Sequence, residues 1–232
     1  MEESLFVLLL LVVLLSNARA IHSIIDGVYA VHFNDHYSNK SQVVWGKNDD
    51  NTMSVLVMLS DSASIYNCSN TDNYHCDDVN GCMYDWNKLF GKSRCGDYMS
   101  YHKDSDRFVF RRCSDSSCDA YVENENRIQL GAYSYDDSNK PYDGQHPDLL
   151  KTFKTTILPN YYYNLTIAMN VSGISSFILS DPYNNNEELE TQYTIHNNKC
   201  EKDFSKGVLA GLYFGGTCTA PEDVVVKFTQ TI

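Results

Sequence analysis

The chain is short of positive charge. Eighteen lysines and arginines stand against 30 aspartates and glutamates in 232 residues, for a formal net charge of −12 at pH 7. A polyanion of this kind repels phosphate backbones and anionic bilayers, so nucleic acid and membrane surfaces are not expected partners. A neutral ligand or a basic protein is electrostatically permitted, and acidity by itself also keeps a protein soluble. Long apolar runs are missing too. The unbroken stretch from Leu5 to Leu15 falls well short of the roughly 20 residues that cross a bilayer, so no membrane span is expected. No segment sustains a 3.6-residue apolar period behind a cap, apart from a short turn-like stretch from Asp85 to Gly91. Zinc is poorly served, because the chain has no Cys-x-x-Cys and its histidines are scattered. The absence of Gly-x-Ser-x-Gly removes a serine-hydrolase elbow. Asp77 to Gly81 and Asp136 to Asn139 group hard oxygen donors without the ordered spacing of a calcium loop, and read as turns. Neither a metal nor a cofactor is expected.

What is present begins at the N-terminus. Leu5 to Leu15 followed by Ala18-Arg19-Ala20 reads as a secretory signal peptide over residues 1–20, although Glu2 and Glu3 stand where a basic region is usual. Residues 21–232 then form one secreted, extracellular domain, since no Pro/Gly/Ser-rich linker or repeat divides them. The terminal Thr229-Gln230-Thr231-Ile232 reads as neither a lipid-anchor tail nor a retention signal, so export from the cell is expected. In an oxidising compartment the even set Cys68, Cys76, Cys82, Cys95, Cys113, Cys118, Cys200 and Cys218 implies four disulfides. Cys113 and Cys118 bracket a polar turn of the right reach, and Cys200 and Cys218 staple a loop to the strand after it. The other four would pair among themselves, although spacing alone does not choose among the 105 pairings. The polar, Cys-rich region 68–118 reads as stapled loops outside the core. Asn39, Asn67, Asn164 and Asn170 open Asn-x-Ser/Thr glycosylation sequons. Asn164 and Asn170 lie an even number of residues apart on or beside one expected strand, so both face the same way, toward solvent.

Strand signals recur along the chain. Gly27–Phe33, Ser54–Leu59, Arg107–Arg111, Arg127–Ala132, Tyr161–Met169, Gly173–Ser180, Gln192–Ile195, Val208–Phe214 and Val224–Phe228 are β-branched or alternating, between Asn/Asp/Gly turns. Ten to twelve such strands predict an all-β protein, a single antiparallel β-sandwich. In the C-terminal third, Tyr163 to Ile167, Gly173 to Asp181, Glu190 to Ile195 and Gly207 to Gly216 together resemble the closing strands of a concanavalin A-like jelly roll. That sandwich is used by lectins, glucanases and some polysaccharide lyases. The resemblance implies a jelly-roll-like fold and a carbohydrate ligand.

Catalytic signals are weaker than aromatic ones. Glu123 and Glu125 alternate as a glycosidase pair would, but in a polar stretch that reads as a solvated turn; Glu187, Glu188 and Glu190 read as a charged loop. A lyase would need a Tyr or His base near a cation such as Arg111 or Arg112. Tyrosine is plentiful, 17 residues against 2 tryptophans, and its flat ring with a polar tip suits the CH faces of sugars. Trp45, Trp86 and Tyr161 to Tyr163 are aromatic candidates. Tyr133, Tyr135, Asp137, Asn139, Tyr142 and Asp143 gather aromatic and hydrogen-bonding groups around one long loop and form the expected ligand site. The same tyrosines would equally fill the faces of a sheet. The leading expectation is a non-enzymatic carbohydrate-binding module. A secreted modulator that binds a secreted or cell-surface protein, and a divergent polysaccharide-cleaving enzyme, remain the alternatives.

Overall fold

Alternation along the chain becomes two faces of two sheets. The computed structural model describes residues 27–38, 43–47, 52–66, 85–93, 105–113, 118, 120–135, 150–170, 173–195, 206–210, 212–215 and 219–230. The expected signal peptide, Asn39, Asn67, Asp137, Asn139, Tyr142, Asp143, and every cysteine except Cys113 and Cys118 lie outside the described residues. The first sheet contains β1 (Gly27–Val31), β12 (Val224–Gln230), β3 (Thr52–Leu59), β8 (Tyr162–Met169), β9 (Ile174–Asp181) and β10 (Glu187–Ile195), in that spatial order. The second contains β2 (Val43–Lys47), β11 (Lys206–Ala210), β4 (Asn87–Ser93), β5 (Ser105–Cys113), β6 (Arg127–Tyr135) and β7 (Leu150–Ile157). Every adjacent pair is antiparallel. The protein is an all-β sandwich of two antiparallel sheets, as the alternation predicts.

The sheets meet over an aromatic core. Phe108 of β5 lies 5.4 Å from Phe90, 5.9 Å from Phe153 and, across the sandwich, 5.2 Å from Phe177 of β9. The Phe177 ring stands edge-on at 78°, an arrangement the ring quadrupoles favour. From the first sheet Val55, Val57, Leu165, Ile167 and Leu179 fill the remaining space, all fully buried. Truncating a buried phenylalanine typically costs about 3–5 kcal/mol, a large share of the roughly 5–15 kcal/mol that holds a domain together.

Three elements depart from the sequence reading. The turn-like stretch from Asp85 to Gly91 is mostly strand: β4 carries a bulge between Lys88 and Phe90, so the consecutive residues Leu89 and Phe90 are both buried. Two adjacent inward side chains break the period of two and conceal the strand. Within the Cys-rich region 68–118, β4 and β5 are strands of the second sheet and contribute Phe90, Phe108 and Phe110 to the core. Only the expected Cys113–Cys118 staple, with its Cα atoms 5.2 Å apart, falls among the described residues. The acidic run Glu187, Glu188 and Glu190 opens β10 instead of forming a loop. A single helical turn, α1 (Ser62–Ile65), follows β3.

Glu190 shows why that run is a strand. Its carboxylate accepts the backbone amides of Lys154 (3.0 Å) and Thr155 (2.7 Å) on β7. β7 is an edge of the second sheet and β10 an edge of the first, so one side chain closes open main-chain donors and ties the sheets together along that side. Partial burial acts to raise the Glu190 carboxyl, but the two amides and Gln192 outweigh it and hold the pKa below its ordinary value. A depressed carboxylate stabilises the fold above its unfolded pKa of about 4.3 and loses that contribution as pH falls through the folded value. Glu190→Gln is therefore expected to lower the melting temperature at pH 7 and to shrink the difference in stability between pH 7 and pH 3. Thermal unfolding at the two pH values checks this; an unchanged melting temperature would mean that the sheets close without it.

Candidate functional site

Residues directly opposite in an antiparallel ladder share a face, so the register assigns the outer surface of the second sheet. One row runs from Tyr37 to Tyr213, Lys88, Val109 and Gly131. A second pairs Arg107 with Tyr133 and a third pairs Arg111 with Gln129. The intervening residues Phe108 and Phe110 point into the core. β5 thus alternates phenylalanine inward with Arg107, Val109 and Arg111 outward.

Cations and aromatic rings interleave on this face. The Lys88 ammonium lies 4.6 Å from the Tyr213 ring centroid and 6.0 Å from that of Tyr135. The Arg107 guanidinium is 5.2 Å from Tyr135, and that of Arg111 is 4.7 Å from Trp86. Such contacts offset part of the cost of removing a cation from water. Arg111 Nε also donates to Gln129 Oε1 at 2.9 Å, and Gln129 Nε2 donates to the Phe153 carbonyl at 3.1 Å. Among the described residues the Lys88 ammonium makes no ion pair or hydrogen bond. Burial, and to a smaller extent the Arg107 charge, lower its pKa to about 8, with Asp85 opposing both.

The loop after β1 supplies the rim. Asn34 takes a left-handed φ of 63°, and Asp35 Oδ1 accepts the amides of His36 (2.7 Å) and Tyr37 (3.1 Å). These amides hold the Asp35 carboxyl below its ordinary pKa. The Phe214 amide donates to the His36 carbonyl at 2.9 Å, and His36 Nδ1 lies 3.0 Å from the Phe214 carbonyl. A carbonyl only accepts, so Nδ1 carries the proton. The His36 ring consequently stacks on Tyr213, centroids 5.3 Å apart and planes 6° apart, while Tyr37 meets Tyr213 edge-on at 5.2 Å. Tyr37 is 58% exposed, so the rim presents an accessible ring beside a cation.

Of the residues expected to bind ligand, Tyr133 and Tyr135 belong to this face, 4.7 Å apart and T-shaped. Both are buried and pack with Val109, Trp86 and Leu150, forming a floor under the face instead of standing open to solvent. Asp137, Asn139, Tyr142 and Asp143 lie outside the described residues. Trp86 and Arg111, candidates by type, are brought together. Tyr161 and Tyr163 sit elsewhere, with Tyr183 and Asp181 at the end of β8 and β9. Glu123 and Glu125 lie in an exposed turn, where Glu125 pairs with Arg127. Sequence reading missed Lys88, Arg107, Tyr213, His36 and Tyr37. The one available signal was the alternation of Arg107 and Arg111 about Val109, which marks a charged outer face on a core strand.

No family model matches the chain, and no curated protein matches it. Among solved structures it is similar at 11% identity to an endo-β-1,4-glucuronan lyase from the fungus Trichoderma reesei, over 88% of this chain and 77% of that one, with a TM-score of 0.43. It is similar at 9% identity to the CBM2 module of the evolved Dit of Lactobacillus casei BL23 phage J-1, over 82% of this chain and 70% of that one, with a TM-score of 0.32. The binding domain of botulinum neurotoxin serotype D aligns at 12% identity over 89% of this chain and 43% of that one, with a TM-score of 0.34.

Gly131 makes room for the floor. A Cβ there would come 2.8 Å from Val109 Cγ2, 3.0 Å from Leu150 Cδ1 and 3.1 Å from Trp86 Cζ3. Gly131→Ala is expected to lift Trp86 off the sheet and to destabilise the protein by about 1–3 kcal/mol, the usual cost of overpacking. Urea unfolding measures the loss, and a change in native tryptophan fluorescence reports the displaced ring. Wild-type stability with an unaltered spectrum would contradict the packing described.

Proposed function

We propose that this protein is a secreted, non-enzymatic carbohydrate-binding module of the concanavalin A-like kind, and that its ligand is an acidic saccharide lying along the outer face of the second sheet. The observation that carries this reading is the Lys88 ammonium, held over the Tyr213 ring without an ion-pair partner among the described residues. In a chain with 30 acidic side chains and 18 basic ones, placing Lys88, Arg107 and Arg111 on one face favours an anionic ligand group there. Tyr37, Tyr213 and Trp86 supply flat apolar surfaces for sugar CH groups beside those charges. Lys88 and Arg111 would take the carboxylate or sulfate, the exposed Tyr37 ring would stack on a sugar, and Arg107 would set the potential from beneath.

Calorimetry against uronate-rich, sulfated and neutral polysaccharides tests the reading, with an assay for new reducing ends run on each. Binding to an acidic polymer without cleavage, weakened by salt, is the expected result. Lys88→Ala and Tyr213→Ala should each weaken binding about tenfold, or ~1.4 kcal/mol. Because the Lys88 pKa is about 8, raising the pH through 8 removes the attracting charge and should weaken binding in the wild type but not in Lys88→Ala. Folding responds with the opposite sign. Between about pH 8 and the ordinary lysine value of about 10.4 the unfolded chain holds more protons, so the Lys88 contribution to stability rises with pH. Binding to neutral polymers only would remove the acidic-ligand reading, and new reducing ends would replace binding with cleavage.

A further inference from the structure

The opposite side of the sandwich has a different chemistry. Tyr163, Leu165, Ile167 and Met169 of β8 face the core, so Asn164, Thr166 and Ala168 face outward. Every outward-facing residue of β3, β8 and β9 is uncharged, on a protein in which 21% of residues are charged. At the β9–β10 margin Ile174 is paired with Ile195, and Ile195 and Tyr193 are 71% and 59% exposed. This neutral, partly apolar strip, bounded by Lys227 of β12 and Glu188 of β10, is the kind of surface that ordinarily has something over it.

Two asparagines of the chain's own sequons border that surface. Ser54 Oγ donates to Asn164 Oδ1 at 2.8 Å and lies 2.7 Å from Thr166 Oγ1, so the asparagine and the threonine of one sequon are aligned by a single hydroxyl from β3. With Oδ1 engaged, Asn164 Nδ2, the atom that carries an N-linked sugar, makes no hydrogen bond among the described residues. Asn170, one residue past β8, accepts the Ile174 amide through Oδ1 at 2.9 Å and is exposed beside the Ile174–Ile195 pair. We infer that Asn164 and Asn170 carry N-linked glycans and that these glycans cover the uncharged strip of β3, β8 and β9 on the outer face of the first sheet, leaving the cation–aromatic face on the other side of the sandwich open. The inference needs entry into the secretory pathway, which rests on the leader discussed above, but it does not depend on what the other face binds.

The test is expression of the full chain in insect or mammalian cells. A parallel version carrying the host's own leader in place of residues 1–20 separates failure of the natural leader from failure at the asparagines. Peptide mapping after enzymatic deglycosylation in heavy-oxygen water is expected to find Asn164 and Asn170 converted to labelled aspartate. The deglycosylated protein should self-associate at concentrations where the glycosylated one is monomeric, and should bind more of an apolar dye. Its affinity for any polysaccharide retained by the other face should stay within twofold. Recovery of unlabelled Asn164 from protein that has entered the pathway would overturn the inference. So would deglycosylation that leaves both association and dye binding unchanged. Mapping needs no substitution, so a poorly folding Asn164→Gln variant would not obscure the outcome.

Discussion

The alternation of β5 is the constraint from which both the core and the candidate site follow. A strand sends successive side chains to opposite faces, and in Arg107-Phe108-Val109-Phe110-Arg111 this places two rings in the core and two guanidiniums on the outer sheet face. A shift of one residue would turn the arginines into the core between the sheets and the phenylalanines to the outer face, so the register is fixed by the large cost of that exchange. Because Phe108 also meets Phe177 of the opposite sheet, the packing that closes the sandwich sets the position of Arg107 and Arg111.

Polar groups then stitch the sheets where apolar packing stops. Glu190 closes one side by receiving amides of β7. Between the sheets, the fully buried Asp106 of β5 accepts hydroxyls from Ser134 of β6 and Ser175 of β9, each at 2.5 Å, and Thr194 Oγ1 of β10 lies 2.6 Å from Ser134 Oγ. A buried carboxylate is costly unless its lone pairs are occupied, and here two strands of one sheet and two of the other converge on it. The loop from Asn34 to Tyr37 adds a third tie. It leaves β1 of the first sheet, is fixed by Asp35 and by the Phe214 amide, and places His36 and Tyr37 around Tyr213 at the second. The rim of the candidate site is therefore built from a connection between sheets.

The legible part of the fold was the part with clean alternation. β3, β5, β6, β8, β9 and β12 contain the expected strands; β3, β8, β9 and β12 have one buried and one less buried face over several residues, while β5 and β6 are buried on nearly every side and show their alternation in residue type. β4 was concealed by its bulge, and the start of β10 by an acidic run whose one partly buried member bonds to a distant strand. The Cys113–Cys118 staple was readable from local reach, since a turn of that length limits where the sulfurs can go. Tyr133 and Tyr135 were correctly noticed as a neighbouring pair, but their burial under Trp86 and Leu150 depends on residues distant in sequence.

From the sequence alone came the sheet class, the antiparallel sandwich and the acidic character. All of these follow from period, composition or short spacing, which are local properties. Tertiary structure decided which faces are which. Tyr37, Tyr213, Lys88 and Arg107 are scattered from one end of the chain to the other, and only cross-strand pairing brings them into neighbouring rows. Pairing partners are chosen by the free energy of burying whole faces against each other, a sum over many weak contacts that no short stretch of sequence contains.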